Sequence, residues 1–340
     1  MEPVIEWVTG ETVVVIAKTS CEMVSDDHVL TDMISPHDLN KALSSNWPHG
    51  EVNAVSVARI GEAFGFGGNV YRLDVETAGG AKTLIAKHET REQVEREVKA
   101  YEYMGDALRG RVPELYGWGD EITLFELIAP ATQGDGLKIQ EWQVEPLLRL
   151  LADLHAATWS SDAEPWVPEH WDDERWQARV DLAGERYPEH MSDQLRDRLL
   201  LLQAEVPEAL AAMKKGPTAL THMDSGHDNT LWRPDGSVVL LDWSNARFGS
   251  PTLDLSAHIV DGDADDIIEV YVRRLQANRV ATSTKEVVAD LQHTVKIFAR
   301  GMVGFAGVPG EPTQRRLRQF RYGALELADA ALDWIDRSQH

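Results

Sequence analysis

The sequence predicts an α+β chain of two lobes, a small antiparallel-sheet lobe followed by a larger, mainly helical one. Three observations carry this. Short apolar strands alternate with glycine-bearing loops over 52–128. Pro130, Gly134 and Gly136 then break the composition. Beyond that break, apolar residues recur mostly at helical spacing. The expected divisions are an N-terminal extension over 1–32, a first lobe over 33–128 and a second over 129–340. The extension is either a hairpin about Thr9-Gly10 or a loose segment. At 340 residues, each lobe can bury its own core.

In the first lobe, Ser35-Pro36 is a helix start, serine as N-cap and proline at the first helical position, running to about Ser45. Val52–Ile60 reads as a strand. The loop after it carries Gly65, Gly67 and Gly68, and in Val70–Val75 the residues Tyr71, Leu73 and Val75 alternate with Arg72 and Asp74. Ala78-Gly79-Gly80 turns the chain into a third strand, Thr83–Lys87. A dinucleotide fingerprint would place a helix after its glycines. Strand, glycine loop, strand is instead the geometry of a flap over nucleotide phosphates, with a plain flexible hairpin as the alternative. Lys87 ends an apolar strand, where a phosphate-pairing lysine can sit. Thr90 and Gln93 form a capping-box start for a helix to about Met104. On it Val94, Glu97, Val98 and Tyr101 share one face, so Glu97 points inward and needs a cation; Lys87 is the nearest candidate. Then come Val112–Tyr116, a turn at Gly117/Gly119 and a strand over Ile122–Ile128.

In the second lobe, Glu141–Trp159 carries Leu147, Leu148, Leu151, Leu154 and His155 on one stripe, which makes His155 a hydrogen-bonded core histidine rather than a ligand. Residues 160–190 are rich in Trp, Pro and acids, and 191–214 is helical. The stretch 218–245 reads as a short strand, a polar loop with His222, Asp224 and Asn229, and a hairpin turning at Pro234-Asp235-Gly236 whose second strand ends at Asp242. Further helices start near Thr252, at the Ser283/Glu286 box and after Pro312. Asp261, Asp263, Asp265 and Asp266 lack the glycine and glutamate of a calcium loop, leaving a solvated face or a substrate-facing patch.

Two carboxylates and an amide on adjacent loops suit phosphoryl transfer, one acid taking the hydroxyl proton while an acid and an amide hold magnesium against a triphosphate. Two alternatives stand beside this: a zinc or manganese site at His222, Asp224, His227 and Asp228, and a turn capped for local hydrogen bonding. Asp224-Ser225-Gly226 also matches half of an aspartic-protease site, but no second copy exists.

A formal charge of −23 argues against nucleic-acid binding through a basic face and leaves open a cationic substrate. The single cysteine, Cys21, excludes an internal disulfide framework and is compatible with a cytoplasmic location. No apolar run approaches the ~20 residues of a membrane span, and the N-terminus carries acids rather than a basic leader.

Lys87, Glu97, the break, His222-x-Asp224-x4-Asn229 and Asp242 stand in kinase order. With them are Gly65-Phe-Gly-Gly-Asn-Val-Tyr-Arg72, Arg96-Glu-Val-Lys-Ala-Tyr101, Leu154-His-Ala-Ala-Thr-Trp159, Pro165-Trp-Val-Pro168 and Leu241-Asp-Trp243. On these motifs the chain resembles the aminoglycoside phosphotransferase and choline kinase-like superfamily over about residues 33–340, most nearly its ecdysteroid-kinase-like small-molecule phosphotransferase branch. The resemblance implies a protein-kinase-like bilobal fold, ATP and Mg2+ as cofactors, and a small hydroxylated substrate.

Carried over by position, Asp224 is the base and His222 supports its loop, while Asn229 and Asp242 bind magnesium. Lys87, held by Glu97, contacts the α- and β-phosphates, and Gly65, Gly67 and Gly68 form the flap. Glu126 and Ile128 offer backbone groups to adenine, and Asp254 braces the catalytic loop. Two positions depart from the family pattern: Met223 stands where glycine is usual, and Trp243-Ser244 follows the metal aspartate in place of Phe-Gly. The expected activity is O-phosphorylation of a small molecule, an antibiotic such as an aminoglycoside being one acceptor and a steroid-like or apolar alcohol another. The rival is a non-catalytic kinase-like module that binds nucleotide or a partner.

Overall fold

The computed structural model describes residues 34–340 apart from 45, 61–68, 136–138, 161–162, 170, 309–314 and 339–340. The extension over 1–32 and the flap glycines Gly65, Gly67 and Gly68 therefore lie outside the described residues. Two compact units make up the chain. One comprises the described residues up to Val94 with Gly110–Gly136 and His227–Leu241; the other comprises Glu95–Arg109, Leu137–Gly226 and Asp242–His340.

The first unit opens with helix α1 (Pro36–Ala42), capped as expected by Ser35, whose side chain accepts the Asp38 N–H while Asp38 reaches back. Five antiparallel strands follow: β1 (Val52–Ile60), β2 (Asn69–Thr77), β3 (Gly80–His88), β4 (Leu115–Trp118) and β5 (Ile122–Glu126), in the order β1-β2-β3-β5-β4. The alternation along β2 is realised. Leu73 and Val75 bury with Leu39, Trp47, Leu84 and Leu124, while Asp74 on the other face accepts the Thr83 hydroxyl at 2.6 Å and Arg72 Nη2 at 3.0 Å. The turn into β3 depends on Gly80 at φ +103°, a left-handed region glycine enters at little cost. Helix α2 (Arg91–Met104) starts on Thr90, whose hydroxyl donates to Gln93 Oε1 at 2.8 Å. A small second sheet joins β6 (Thr132–Gln133), β8 (Thr230–Trp232) and β9 (Val238–Leu240). Its β8–β9 hairpin turns at Gly236, φ +80°, as expected.

Several boundaries differ from expectation. Strand β3 starts at Gly80 rather than Thr83, the helix from Glu141 ends at Ala157 rather than Trp159, and β9 ends at Leu240, short of Asp242. Helix α1 stops at Ala42 because Leu43 turns extended and bridges to Gly117. Gly117 is accordingly a strand residue of β4 and not part of a turn, which falls at Gly119, where its N–H donates to Ile122 O at 2.8 Å. Strand β5 ends at Glu126, two residues short of Ile128.

The second unit is helical: α3 (Glu141–Ala157), α4 (Asp173–Arg186), α5 (Asp193–Met213), α6 (Leu253–Asp261), α7 (Ala264–Ala277), α8 (Thr284–Ala306) and α9 (Arg315–Ser338). A two-stranded ladder of β7 (Ala219–Thr221) and β10 (Arg247–Gly249) accompanies them. Helix α8 packs along α9 and against α4, α5, α6 and α7. Trp176, Leu199, Tyr271, Leu291 and Leu325 are fully or almost fully buried in the shared core. The α3 stripe is buried as its period implies, His155 included. Asp263 of the acidic cluster is the N-cap of α7 and accepts the N–H groups of Asp265 and Asp266. At least three of those acids thus serve a helix N-terminus, where negative charge is favoured. Among the described residues, no helix is long and apolar enough to cross a membrane.

A Cβ at Gly117 would lie 2.2 Å from Ala42 O, a backbone atom that cannot rotate away. Gly117→Ala should therefore cost about 1–3 kcal/mol, the usual range for overpacking, read as a lower midpoint in chemical denaturation. An unchanged midpoint would mean that the α1–β4 approach is softer than it looks.

Candidate active site

Strand β7 ends at Thr221 and delivers His222 into the second unit's interior. Two successive residues are fixed by one carboxylate. Asp254, on the first turn of α6, accepts the His222 N–H on Oδ2 and the Met223 N–H on Oδ1, each at 2.7 Å. The backbone carbonyl of the same residue accepts the Ser225 hydroxyl at 3.2 Å. His155 Nε2 stands 3.1 Å from Asp254 Oδ2, and its Nδ1 stands 2.7 Å from the Tyr271 hydroxyl. Burial raises the Tyr271 phenol well above its ordinary value, with Asp254 and Asp290 adding to the effect, so it stays protonated. An ionised carboxylate can only accept, so His155 Nε2–H donates to Asp254 and the ring bridges that acid to Tyr271. Burial pushes Asp254 up, but the His155 hydrogen bond and the fields of His155 and His222 outweigh it, and the group sits below the ordinary carboxylate range.

The result is a pinned backbone with an outward side chain. His222 is fully buried, its ring edge-on to Trp243 at 4.6 Å, and its Nδ1 accepts the Asp224 N–H at 3.3 Å. Asp224 itself is exposed. Met223 has φ +67°. An L residue there bears a strain of about 1–2 kcal/mol, which explains why glycine is usual at this position. The two N–H bonds to Asp254 hold the strained turn.

Asp242, also in the second unit, has φ +61°. Its Oδ1 accepts the Ser244 hydroxyl at 2.7 Å, a local bond of the kind that lets aspartate occupy left-handed backbone. Trp243 N–H donates to Glu97 Oε1 at 2.9 Å, and Ser244 O accepts Arg96 Nε at 2.8 Å. Consecutive residues of α2 thus secure the two residues after Asp242. Glu97 is 1% exposed, inward as its helical phase implies.

Lys87 and Asn229 belong to the first unit. Lys87, buried, forms an ion pair with Glu89 at 2.8 Å. Asn229 closes a single 3-10 turn, His227–Asn229, and its carbonyl accepts the Leu241 N–H at 2.8 Å. Burial holds His227 below the ordinary imidazole value against the opposing charge of Asp228. The Glu126 N–H donates to Glu114 O at 2.9 Å. Ile128 is buried. Among the described residues, no three His, Cys, Asp or Glu side chains form a group that could hold a metal, which leaves the zinc reading unsupported.

Sequence reasoning missed Glu89, Arg96, Ser244 and Tyr271. Arg96 opens the Arg96–Tyr101 motif, and Ser244 belongs to the Trp243-Ser244 departure. The partnership of His155 with Tyr271 spans 116 residues and leaves no mark in local spacing.

Residues 64–291 match the model of the phosphotransferase enzyme family. A choline kinase from Cryptosporidium parvum Iowa II aligns with 89% of this chain and 94% of its own, at 9% identity and a TM-score of 0.53. A choline kinase from Streptococcus pneumoniae aligns with 82% of this chain and 94% of its own, at 17% identity and 0.50. An aminoglycoside phosphotransferase from Alicyclobacillus acidocaldarius aligns with 90% and 97%, at 16% identity and 0.50. At such identities the likeness is one of fold, and it supports the expected kinase-like α+β class. No curated protein sequence gives a significant match.

Asp254→Ala would strand three donors, each costing about 1–3 kcal/mol, so a stability loss of about 3 kcal/mol or more is expected in urea denaturation. The pH dependence has a definite sign. A carboxylate whose folded pKa is lowered stabilises above its unfolded value, and that contribution disappears as pH falls through the folded value. Asp254→Asn should therefore flatten the acid limb of the stability profile; an acid limb identical to wild type would contradict this. At position 223, valine should be less stable than glycine, because β-branched residues tolerate positive φ worst; equal stability would remove the strain argument.

Proposed function

The chain belongs to the phosphotransferase enzyme family, and on that premise we propose that it transfers the γ-phosphoryl group of ATP to a hydroxyl of a small molecule with the help of Mg2+. Membership makes it a phosphotransferase, and the small-molecule hydroxyl acceptor is part of the proposal. The reading of its nucleotide, metal and residue roles is ours.

The observation that carries the reading is the 222–224 loop, an exposed Asp224 carboxylate on a backbone that Asp254 holds at two N–H groups. A base must meet the acceptor hydroxyl in a fixed direction, and positioning is the larger part of phosphoryl-transfer catalysis. In the proposed step the acceptor oxygen forms a bond to the γ-phosphorus as the bond to the ADP oxygen breaks. Asp224 takes the hydroxyl proton. His222 holds the loop through its buried ring and Nδ1.

Lys87 would bind the α- and β-phosphates. Its buried neighbour Glu89 pairs with it at 2.8 Å, and Glu97 is the acid proposed to hold it. Gly65, Gly67 and Gly68 would approach the phosphates through their N–H groups. The Glu126 and Ile128 backbones would meet adenine. Asp242 and Asn229 offer a carboxylate and an amide oxygen, a hard donor set that suits Mg2+, which completes its shell with phosphate oxygens and water. When bound, the ion would neutralise phosphate charge.

For the acceptor, the Asp263 carboxylate is committed as the N-cap of α7, whereas those of Asp265 and Asp266 are exposed on its first turn and remain available to a cation. Trp176 is core and gives no support to an apolar ligand. Aminoglycosides, other antibiotics, amino alcohols and steroid-like alcohols are therefore all acceptors to assay.

Incubated with Mg-ATP and such a panel, the wild-type chain should yield at least one product heavier by a phosphate, and Asp224→Asn should lower kcat by roughly 10²–10⁴-fold, the range of a positioned base, with its circular dichroism unchanged. Normal turnover by that variant would overturn the assignment of the base. Mg-ATP binding without transfer to any acceptor would favour the non-catalytic module.

A further inference from the structure

The second unit contains a cavity of about 210 Å³ whose wall includes Trp159, Thr252, Tyr271, Ala281, Glu286 and Asp290. None of the residues assigned above to the base or to magnesium lines it. Its wall is chemically lopsided: two carboxylates, two aromatic rings, prolines and aliphatic groups, with no Lys, Arg or His.

Asp290 dominates the electrostatics. Its Oδ2 accepts the Ser250 hydroxyl at 2.5 Å and the Thr252 hydroxyl at 2.7 Å. Its Oδ1 accepts no hydrogen bond among the described residues, and no Lys or Arg pairs with the carboxylate. The Oδ1 atom lies 3.3 Å from where a Cβ on Gly216 would stand. Burial pushes the carboxyl up against the two hydroxyl bonds and the field of His293. Glu286, one turn earlier on α8, directs Oε2 to the N–H and hydroxyl of Ser283 and adds a second negative charge at the cavity. A partly buried carboxylate with no Lys or Arg counter-ion is costly, and a cation with an apolar body relieves that cost while its stem fills the space between aromatic walls.

We propose that this cavity binds a small organic cation, its ammonium or guanidinium group on Asp290 Oδ1 and its body against Trp159 and Tyr271. The volume falls below the ~300–1,000 Å³ of sites for drug-sized ligands, which selects a short alkylammonium over a polycyclic amine. The cavity also touches the support of the 222–224 loop. Tyr271 carries the hydroxyl that meets His155, and Thr252 immediately precedes α6, which bears Asp254. The proposal does not depend on the phosphotransfer reading, because its measurement is binding alone.

The test is isothermal titration of the full chain, without nucleotide, with n-butylammonium chloride, and with butan-1-ol as the neutral control. Saturable one-site binding of butylammonium, at least about tenfold tighter than butanol, is expected from a charge-assisted hydrogen bond. Asp290→Asn should weaken it by about tenfold or more. Should that variant fail to fold, Ala281→Phe at the exposed rim occupies the space with Asp290 intact and should abolish binding. Butylammonium binding no tighter than butanol, or binding unchanged in both folded variants, would overturn the proposal.

Discussion

The two oxygens of Asp254 determine the geometry around the candidate base. One carboxylate on the first turn of α6 receives the N–H groups of successive residues, His222 and Met223, at 2.7 Å each. Without that double acceptor, a methionine at φ +67° would relax toward ordinary backbone, and Asp224 would lose its direction. The carboxylate is in turn oriented by His155, and His155 by Tyr271. A chain of buried partners, each satisfied, converts the rigidity of packed helices into the position of one exposed acid. The same logic recurs after β9. There Glu97 and Arg96 secure Trp243 and Ser244 by backbone hydrogen bonds, so Asp242 too stands on an immobilised turn.

Helix α2 carries more of the design than its amphipathic pattern suggests. Its inward acid is a structural acceptor as well as the candidate partner of a phosphate-binding lysine. A side chain with one oxygen committed to the Trp243 N–H has little freedom to move away. That couples the acid's position to the segment bearing Asp242, both within the second unit.

Much of this was legible because its causes are local. Ser35, Thr90 and Ser283 announce helix starts through side chains that reach residues three positions on. The alternation of β2 and the stripe of α3 reflect the repeat of their own backbone. Met223 stood out as a departure, and its positive φ supplies the reason. What escaped reading depends on contacts between distant segments. Gly117 resembled a turn because glycine usually marks one, whereas the close pass of Ala42 O is what excludes a side chain there. Glu89 beside Lys87, and Tyr271 behind His155, are ordinary residues until the fold joins them. The acidic run at 261–266 had two readings, and the fold gives one of its acids, Asp263, a capping role that neither reading named.

The central claim is that a magnesium nucleotide is the donor and that Asp242 is one of the groups holding its metal. Isothermal titration of ATP, with and without Mg2+, against wild type and Asp242→Asn addresses it directly. The account predicts Mg2+-dependent ATP binding to wild type and loss of that dependence in the variant, with the fold retained. Magnesium-dependent binding equal in both proteins, or no nucleotide binding to wild type, would contradict it.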